Sequence, residues 1–489
     1  MKEQEKKLQR QLSPANVWAI AFGCIIGWGS FVNPGKKFLP NSGVAGTAIA
    51  MALGALVMIV IAFSYAYMIP KYPRAGGEFT FTKACLGKRA AYVCGWFLVA
   101  AYLTNVPMNS TAIGLIVDGL DGSADILKFG FRYCVAGFEI YFGEMIFAMA
   151  ILVLFAVLNM LGVRKAGVIQ TILSGLLVSS VLILAVSALV SGKARGINMD
   201  PIWGFDKSAA MAAGATTETI GDFAHEGTGG IISAVLATFA IAPWAYVGFD
   251  TIPQAAEEFN FSYRKVIGIM VVAILFGCFV YTTNNTVAAS ALSNWPEKVM
   301  AGEWVLLVAA EEMLGIFGKV LIGVAVSCAV LSGIMGFYLA SSRLLYSMAK
   351  DGYLPGSFAQ IDPKYGTPRN AILFCMLISL SGPVLGREAL GWFVDMSAIG
   401  ASMGFFFTGA SAFRRMREDR DAEMPLKLMA VMGTGFSAVF MLLQLVPIPG
   451  LEGVHFGRES YWMLAAWIAL GAVFYLRLAK KNKGNDDVQ

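Results

Sequence analysis

The chain has 489 residues, of which 57% are hydrophobic and only 14% charged, with a mean hydropathy of +0.65. So little charge cannot cover the surface of a soluble domain of this size, and repeated apolar runs of about 20 residues read as membrane spans. The formal net charge of +5 says little about partners, and no nucleic-acid partner is expected. Two histidines, His225 and His455, and seven cysteines without metal-ligand spacing argue against a metal or histidine acid–base centre, and the cysteines read as packing residues.

Taken in chain order, the basic start "MKEQEKKLQR" runs into the first apolar stretch with no A-x-A-like cleavage site, so that stretch is expected to stay. Spans are predicted at 15–38, 44–69, 91–117, 144–161, 168–191, 231–257, 266–290, 317–345, 370–386, 391–413, 426–446 and 459–478, twelve in all. With the N-terminus inside, 26 of the 37 Lys and Arg fall on the cytoplasmic side, which puts both termini in the cytoplasm; Lys36 and Lys37 run against the bias locally. Acidic residues lean outward, at Asp118, Asp121 and Asp125 and then at Asp200, Asp206, Glu218, Asp222 and Glu226. The segment "ALSNWPEKVMAGEWVLLVAAEEMLGI", 291–316, is amphipathic and is expected to lie on the outer face as a loop helix. The inner connection "AKDGYLPGSFAQIDPKYGTPRN" has Pro and Gly at turn spacing and is expected to be ordered but irregular.

Span one contains "GCIIGWGSF", Gly23 to Phe31. Each glycine costs a helix about 1 kcal/mol against alanine, and backbone freed in lipid must face protein, water or a ligand. Gly23, Gly27 and Gly29 therefore predict a helix that stops near Ile26 with free carbonyls and restarts near Gly29 with free N–H groups. Such a break offers an anion site beside a cation site, which suits a zwitterion; the competing reading is close helix packing through small residues. Span six reads "AVLATFAIAPWAYVGFDTIPQAAEEF", with Pro243, Gly248 and Pro253 interrupting it and Asp250 placed to cap a second half-helix. Two broken spans five apart predict an all-α, 5+5 inverted-repeat transporter fold. Its repeats are spans 1–5 (15–191) and 6–10 (231–413), followed by two additional helices (426–478). The ends, 1–14 and 479–489, are expected to be cytoplasmic.

These residues resemble the amino acid–polyamine–organocation (APC) family of secondary transporters. Four stretches carry the likeness: "GCIIGWGSF" in span one, "YPRAGGEFTFTKACLGKRAAYVCGW" (Tyr72–Trp96), "YVGFDTIPQAAEEF" in span six and "SSRLLYSMAKDGYLP" (Ser341–Pro355). The resemblance covers about residues 12–415. It implies a site between spans 1, 3, 6, 8 and 10, with a substrate carboxylate on the N–H groups of Trp28, Gly29 and Ser30. The amine would meet carbonyls of Cys24, Ile25, Ala242 and Ala245. Trp244 and Tyr246 look like gate and pocket-wall aromatics, and "YLTNVPM" in span three points to Asn105 and Met108, although Pro107 departs from the related pattern. Each has an alternative: packing for Trp244 and Tyr246, helix-to-helix hydrogen bonding for Asn105, and capping for Asp250 against a counter-charge for a cationic group. Arg74 and Glu78 are expected at the inner mouth as gate or ion-pair residues, the alternative being a plain solvated loop. Trp28 departs from the small residue many members carry there, and its ring either shrinks the pocket or points into the core.

Three couplings fit this fold: exchange, proton and sodium. The proton-linked lysine that some members carry in span five is absent from "VIQTILSGLLVSSVLILAVSALVS". A sodium ion could instead sit on the carbonyls of Gly23 and Ile26 with Ser332; otherwise no cofactor is expected. The expected function is alternating-access transport of an amino acid or closely related amine across a bacterial-type inner (plasma) membrane, with the bilayer and the solute as partners. The alternatives are a polyamine or biogenic-amine carrier of the same fold and, from another class, a channel or transporter-like sensor. No metal cluster or Ser–His–Asp pattern in the spans suggests an enzyme.

Overall fold

The computed structural model describes residues 8–121, 125–135, 138–214, 227–386, 389–448 and 455–486. Ser13 opens the first helix with a capping box: its hydroxyl accepts from the Asn16 N–H (3.3 Å), while Asn16 Oδ1 accepts from the Ser13 N–H (3.1 Å), and Pro14 fills the first helical position. Helix α1 (Pro14–Ile25) ends at Ile26, and α2 (Gly29–Asn33) resumes after a two-residue gap at Gly27 and Trp28. A wide turn, Pro34–Phe38, leads into α3 (Leu39–Met68). The whole run Gly29–Met68 is 40 residues, far longer than the roughly 20 a bilayer needs. Gly43, at φ 60°, leaves the helix and divides it. A side chain there would meet the 202–204 backbone.

The chain continues through α4 (Gly77–Leu86), α5 (Lys88–Asp121), α6 (Phe142–Met160), α7 (Val163–Val190), α8 (Lys207–Ala212), α9 (Gly227–Ala240) and the single turn α10 (Ala242–Ala245). A 3-10 run, Phe249–Glu258, precedes α11 (Val266–Ser290). The amphipathic loop forms α12 (Trp295–Met300) and α13 (Val305–Leu314), the latter burying Val305, Leu306, Leu307, Ala309 and Ala310. Then come α14 (Ile316–Lys350), α15 (Arg369–Ser379), α16 (Ser381–Leu385), α17 (Ala389–Glu418), α18 (Met424–Leu445) and α19 (Arg458–Asp486).

Among the described residues, ten helical segments are long and apolar enough to cross a membrane, and Pro14–Ile25 and Arg369–Leu385 are shorter apolar ones. The core sits where α5 packs on α14 and α17, and α1 lies among α7, α11 and α14. Burial separates inner from outer helices: 83% of the apolar window of α5 is buried, against 11% for α19. Large apolar side chains such as Leu56, Leu154, Val186 and Leu442 point outward, as a lipid-facing surface requires.

The fold is all-α in its apolar core, and two details depart from the sequence reading. A short hairpin stands outside the helices, Arg132–Val135 paired antiparallel with Phe138–Tyr141, whose alternating polar and apolar residues favour strands. Cys134 lies on it, exposed, so not every cysteine is a packing residue; Cys24, Cys94, Cys328 and Cys375 are buried as expected. His225, Glu218, Asp222 and Glu226 lie outside the described residues, as do the first seven and last three.

Candidate functional site

At Ile26 the backbone turns extended (φ −95°, ψ 98°), and its N–H makes the last α1 bond, to Phe22 O at 2.9 Å. Beyond it, the N–H groups of Gly27, Trp28 and Gly29 have no partner among the described residues, nor do the carbonyls of Cys24 and Ile26. The Ser30 amide and hydroxyl both donate to Gly27 O (3.3 and 3.0 Å), while Ser30 O accepts from Asn284 Nδ2 at 2.9 Å. Ile25 O has only the Tyr281 hydroxyl, at 3.5 Å. Of the three predicted amide donors, Trp28 and Gly29 are therefore open and Ser30 is engaged. Cys24 presents an open carbonyl.

In the span-six segment, Gly248 adopts φ 142°, which favours glycine. It also needs glycine for space: a Cβ there would lie 2.6 Å from Ile25 N and 2.8 Å from Ala21 O. The two interruptions thus cross in backbone contact. Ala242 O is taken by the Tyr246 N–H (3.0 Å), whereas Ala245 O has no partner among the described residues. Asp250 lies inside the 3-10 run, whose N-cap position is Gly248, and it accepts the Gly248 N–H at 2.7 Å, while Thr251 turns its hydroxyl back to Gly248 O at 2.6 Å.

The Trp244 indole lies directly over Gly29, where any Cβ would strike its ring, and sits 6.3 Å from the Trp28 ring at 56°. Trp28 therefore faces the break and narrows the space above it; its Nε1 is buried without a partner among the described residues. Tyr246 is not brought to the open groups. Its hydroxyl donates to Met51 O (2.8 Å) and its ring packs between Gly54 of α3 and Gly277 of α11. Asn105 likewise bonds helix to helix, donating to Ala101 O (2.7 Å) and to Ser397 Oγ of α17 (2.6 Å). Met108 is buried.

The residue that meets the break from α5 is Asn109, which the sequence reading missed. Its Oδ1 is buried without a partner among the described residues and would lie 3.4 Å from a Cβ on Gly27, and its other edge packs on Gly333 of α14. The spacing Asn105–Asn109 is one helical turn and was the available signal. Ser332 Oγ lies 3.1 Å from Gly23 O and 2.9 Å from Ala329 O, and Gln170 of α7 packs on Gly23.

Arg74 and Glu78 do not form an ion pair. Arg74 is exposed, while Glu78 is fully buried and accepts from Tyr65 Oη (2.9 Å), Tyr102 Oη (3.4 Å) and the Gln254 amide. Glycines 76 and 77, both at positive φ, fold the loop back and turn Glu78 inward. The buried ion pair nearby is Arg343 with Glu258, Nε to Oε1 2.9 Å, both residues 1% exposed. Glu258 O also accepts the N–H groups of Gln11 and Leu12, each at 2.9 Å.

The sequence model of one family, described as amino acid permease, matches residues 12–474. The chain belongs to the amino acid permease family. This permease is thus an APC-family, multi-pass membrane protein and not an enzyme. It is 23% identical to the branched-chain amino acid permease BcaP of Bacillus subtilis, over 98% of this chain and 95% of that one. It is 26% identical to the human large neutral amino acids transporter small subunit 2, over 76% of this chain and 64% of that protein's length. Human Asc-type amino acid transporter 1 is also 26% identical, over 75% and 64%. The permease spans less than two thirds of these two human proteins.

Proposed function

We propose that this permease is a secondary active transporter that carries an amino acid across a bacterial-type plasma membrane by alternating access. It would have twelve spans, 5+5 inverted repeats with two additional helices, and both termini in the cytoplasm. One observation carries the reading: the two helical interruptions cross at Gly248 and Ile25, beside open amides at Gly27–Gly29 and open carbonyls at Cys24 and Ala245. Buried polar backbone without partners is costly, and a zwitterion supplies an acceptor and a donor on adjacent carbons. The substrate carboxylate would take the Trp28 and Gly29 amides, and its amine the Cys24 and Ala245 carbonyls. The surroundings, Trp28, Trp244, Met108 and Asn109, carry no charge, which suits a neutral side chain, as do the relatives' names. Trp244 would move as substrate enters, since its ring covers Gly29.

A sodium ion travelling with the substrate would use Gly23 O, Ile26 O and Ser332 Oγ, provided Ser332 turns its proton to Ala329 O. Uptake with potassium in place of sodium tests that position, and exchange needs no ion at all. The transport reading is tested by counterflow of L-leucine in proteoliposomes and by thermal-shift measurement with amino acids and their decarboxylated amines. Ligand binding to the folded state raises apparent stability by mass action. Gly29→Leu, which pushes Trp244 aside and covers the amides, is expected to abolish the shift. A normal shift in that variant, or preference for the amine, would remove the carboxylate role.

A further inference from the structure

We propose that Glu78 and Asp250, bridged by the Tyr102 hydroxyl, form a proton-binding site that couples proton movement to transport. The proposal rests on the transport reading above and adds a coupling ion and its seat. Tyr102 Oη lies 3.4 Å from Glu78 Oε1 and 3.0 Å from Asp250 Oδ2, so one hydroxyl touches both acids. Both carboxyls are buried, and neither has an ion pair among the described residues. The nearest buried guanidinium, Arg343, is committed to Glu258.

The groups facing the pair from each packed element are neutral. Tyr65 comes from α3, Tyr102 and Cys94 from α5, Gln254 and Thr251 from the 3-10 run, Cys24 from α1 and Thr408 from α17. Two like charges in so dry a place, with no cation to balance them, are strongly unfavourable together. At least one proton is therefore held by the pair when the site is closed. The chemistry of the surroundings selects a proton over a metal or an ammonium group. Tyr65, Tyr102, the Gln254 amide and the Gly248 N–H all present donors to the carboxylate oxygens. A larger cation would have to displace these donors and would face their positive ends, whereas a proton takes no room.

The geometry also gives the proton a route. Glu78 as the acid passes its proton to the Tyr102 oxygen while Tyr102 passes its own to Asp250 Oδ2. This leaves Glu78 ionised, Asp250 neutral and Tyr102 unchanged. Asp250 Oδ1 meanwhile holds the Gly248 N–H at 2.7 Å, at the residue where span six crosses α1. Loss of the Asp250 charge weakens that charge-assisted bond, so the proton's position is felt at the backbone crossing that would hold the substrate. Glu78, in the first turn of α4, accepts from Tyr65 of α3 and Tyr102 of α5, so its charge state is felt by all three helices together.

The test uses the full-length protein in proteoliposomes loaded with a pH-sensitive dye, with L-leucine as substrate. Counterflow without a pH gradient is measured first. For the wild type, leucine entry is expected to acidify the lumen, and an inward proton gradient of one pH unit should raise accumulation by up to about tenfold for one proton per substrate. Glu78→Gln and Asp250→Asn are each expected to lose that gradient-driven accumulation, and Tyr102→Phe to reduce it. The wild-type dye signal stands even if a variant does not fold. Counterflow without lumenal acidification, or full gradient drive in both carboxyl variants, would overturn the proposal. Absence of counterflow in the wild type with every neutral amino acid would instead remove the transport reading on which it rests.

Discussion

Replacing Gly248 by alanine probes the crossing most directly. The new Cβ would lie 2.6 Å from Ile25 N, 2.8 Å from Ala21 O and 2.8 Å from Cys24 Cβ, and two of these neighbours are backbone atoms that cannot rotate away. Holding a residue with a side chain at φ 142° costs about 1–3 kcal/mol, and overpacking a tight contact costs about another 1–3 kcal/mol. Part of the strain is relieved by moving the two segments apart, which spreads the open amides and carbonyls. Only ~1.4 kcal/mol falling on the site cuts affinity tenfold. The assay is a thermal-shift titration with L-leucine on purified protein, with Gly175→Ala in α7 as control. No atom lies within 4 Å of a Cβ at Gly175, so that change gains helix propensity of about 1 kcal/mol. We expect Gly248→Ala to melt lower than the wild type and to need at least tenfold more leucine for the same shift, while Gly175→Ala melts no lower. Unchanged melting and an unchanged titration in Gly248→Ala would refute the crossing as the seat of binding.

Arg343→Met should lower the melting temperature strongly, because breaking a buried ion pair costs about 3–5 kcal/mol. Arg343→Met with Glu258→Leu should recover part of it, as read by fluorescence-detected size exclusion. Asn109→Ala is expected to raise the KM for leucine by more than Asn105→Ala does, while Asn105→Ala lowers the melting temperature more, since of these two asparagines it is Asn105 that hydrogen-bonds across to α17. Asp419, outside the spans, is held at a pKa of about 2 by Lys71 and Tyr67, whose donors lie 2.8 and 2.7 Å away. A depressed folded value means its stabilisation is present above the ordinary carboxylate pKa of about 3.9 and is lost as pH falls toward about 2. Melting curves between those limits should therefore be flatter for Asp419→Asn than for the wild type.

The apolar helices, ten of them long enough to cross a membrane among the described residues, were legible because hydropathy is a local property that needs no partner. The gap between α1 and α2 has a local signal too: three glycines weaken a helix wherever it packs. What the glycines could not show is that Gly248 lies against Ile25, a contact over more than 200 residues of chain that only the folded backbone creates. The choice between Asn105 and Asn109 was missed because both lie on one face of α5, and the rotation of that helix against α14 and α17 decides which meets the break. Arg74 and Glu78 were expected together at the inner mouth as gate or ion-pair residues, and opposite charges four residues apart in a loop do not show which way either side chain turns. Positive-φ glycines at 76 and 77 reverse the chain between them, leaving Arg74 exposed and Glu78 buried. The true buried pair, Arg343 with Glu258, joins residues 85 apart in sequence and has no local signature.

Glu258 has one further consequence. Its carboxylate grips the end of α14 while its backbone oxygen accepts the amides of Gln11 and Leu12, and Leu12 bridges Phe259. A single residue thus knots three distant portions of chain at one face. Untying any strand exposes a guanidinium or two amides at once, so partial loosening is disfavoured and this face should behave as a snap fastener. Spin labels at positions 10 and 263 would then report two discrete separations with little between them.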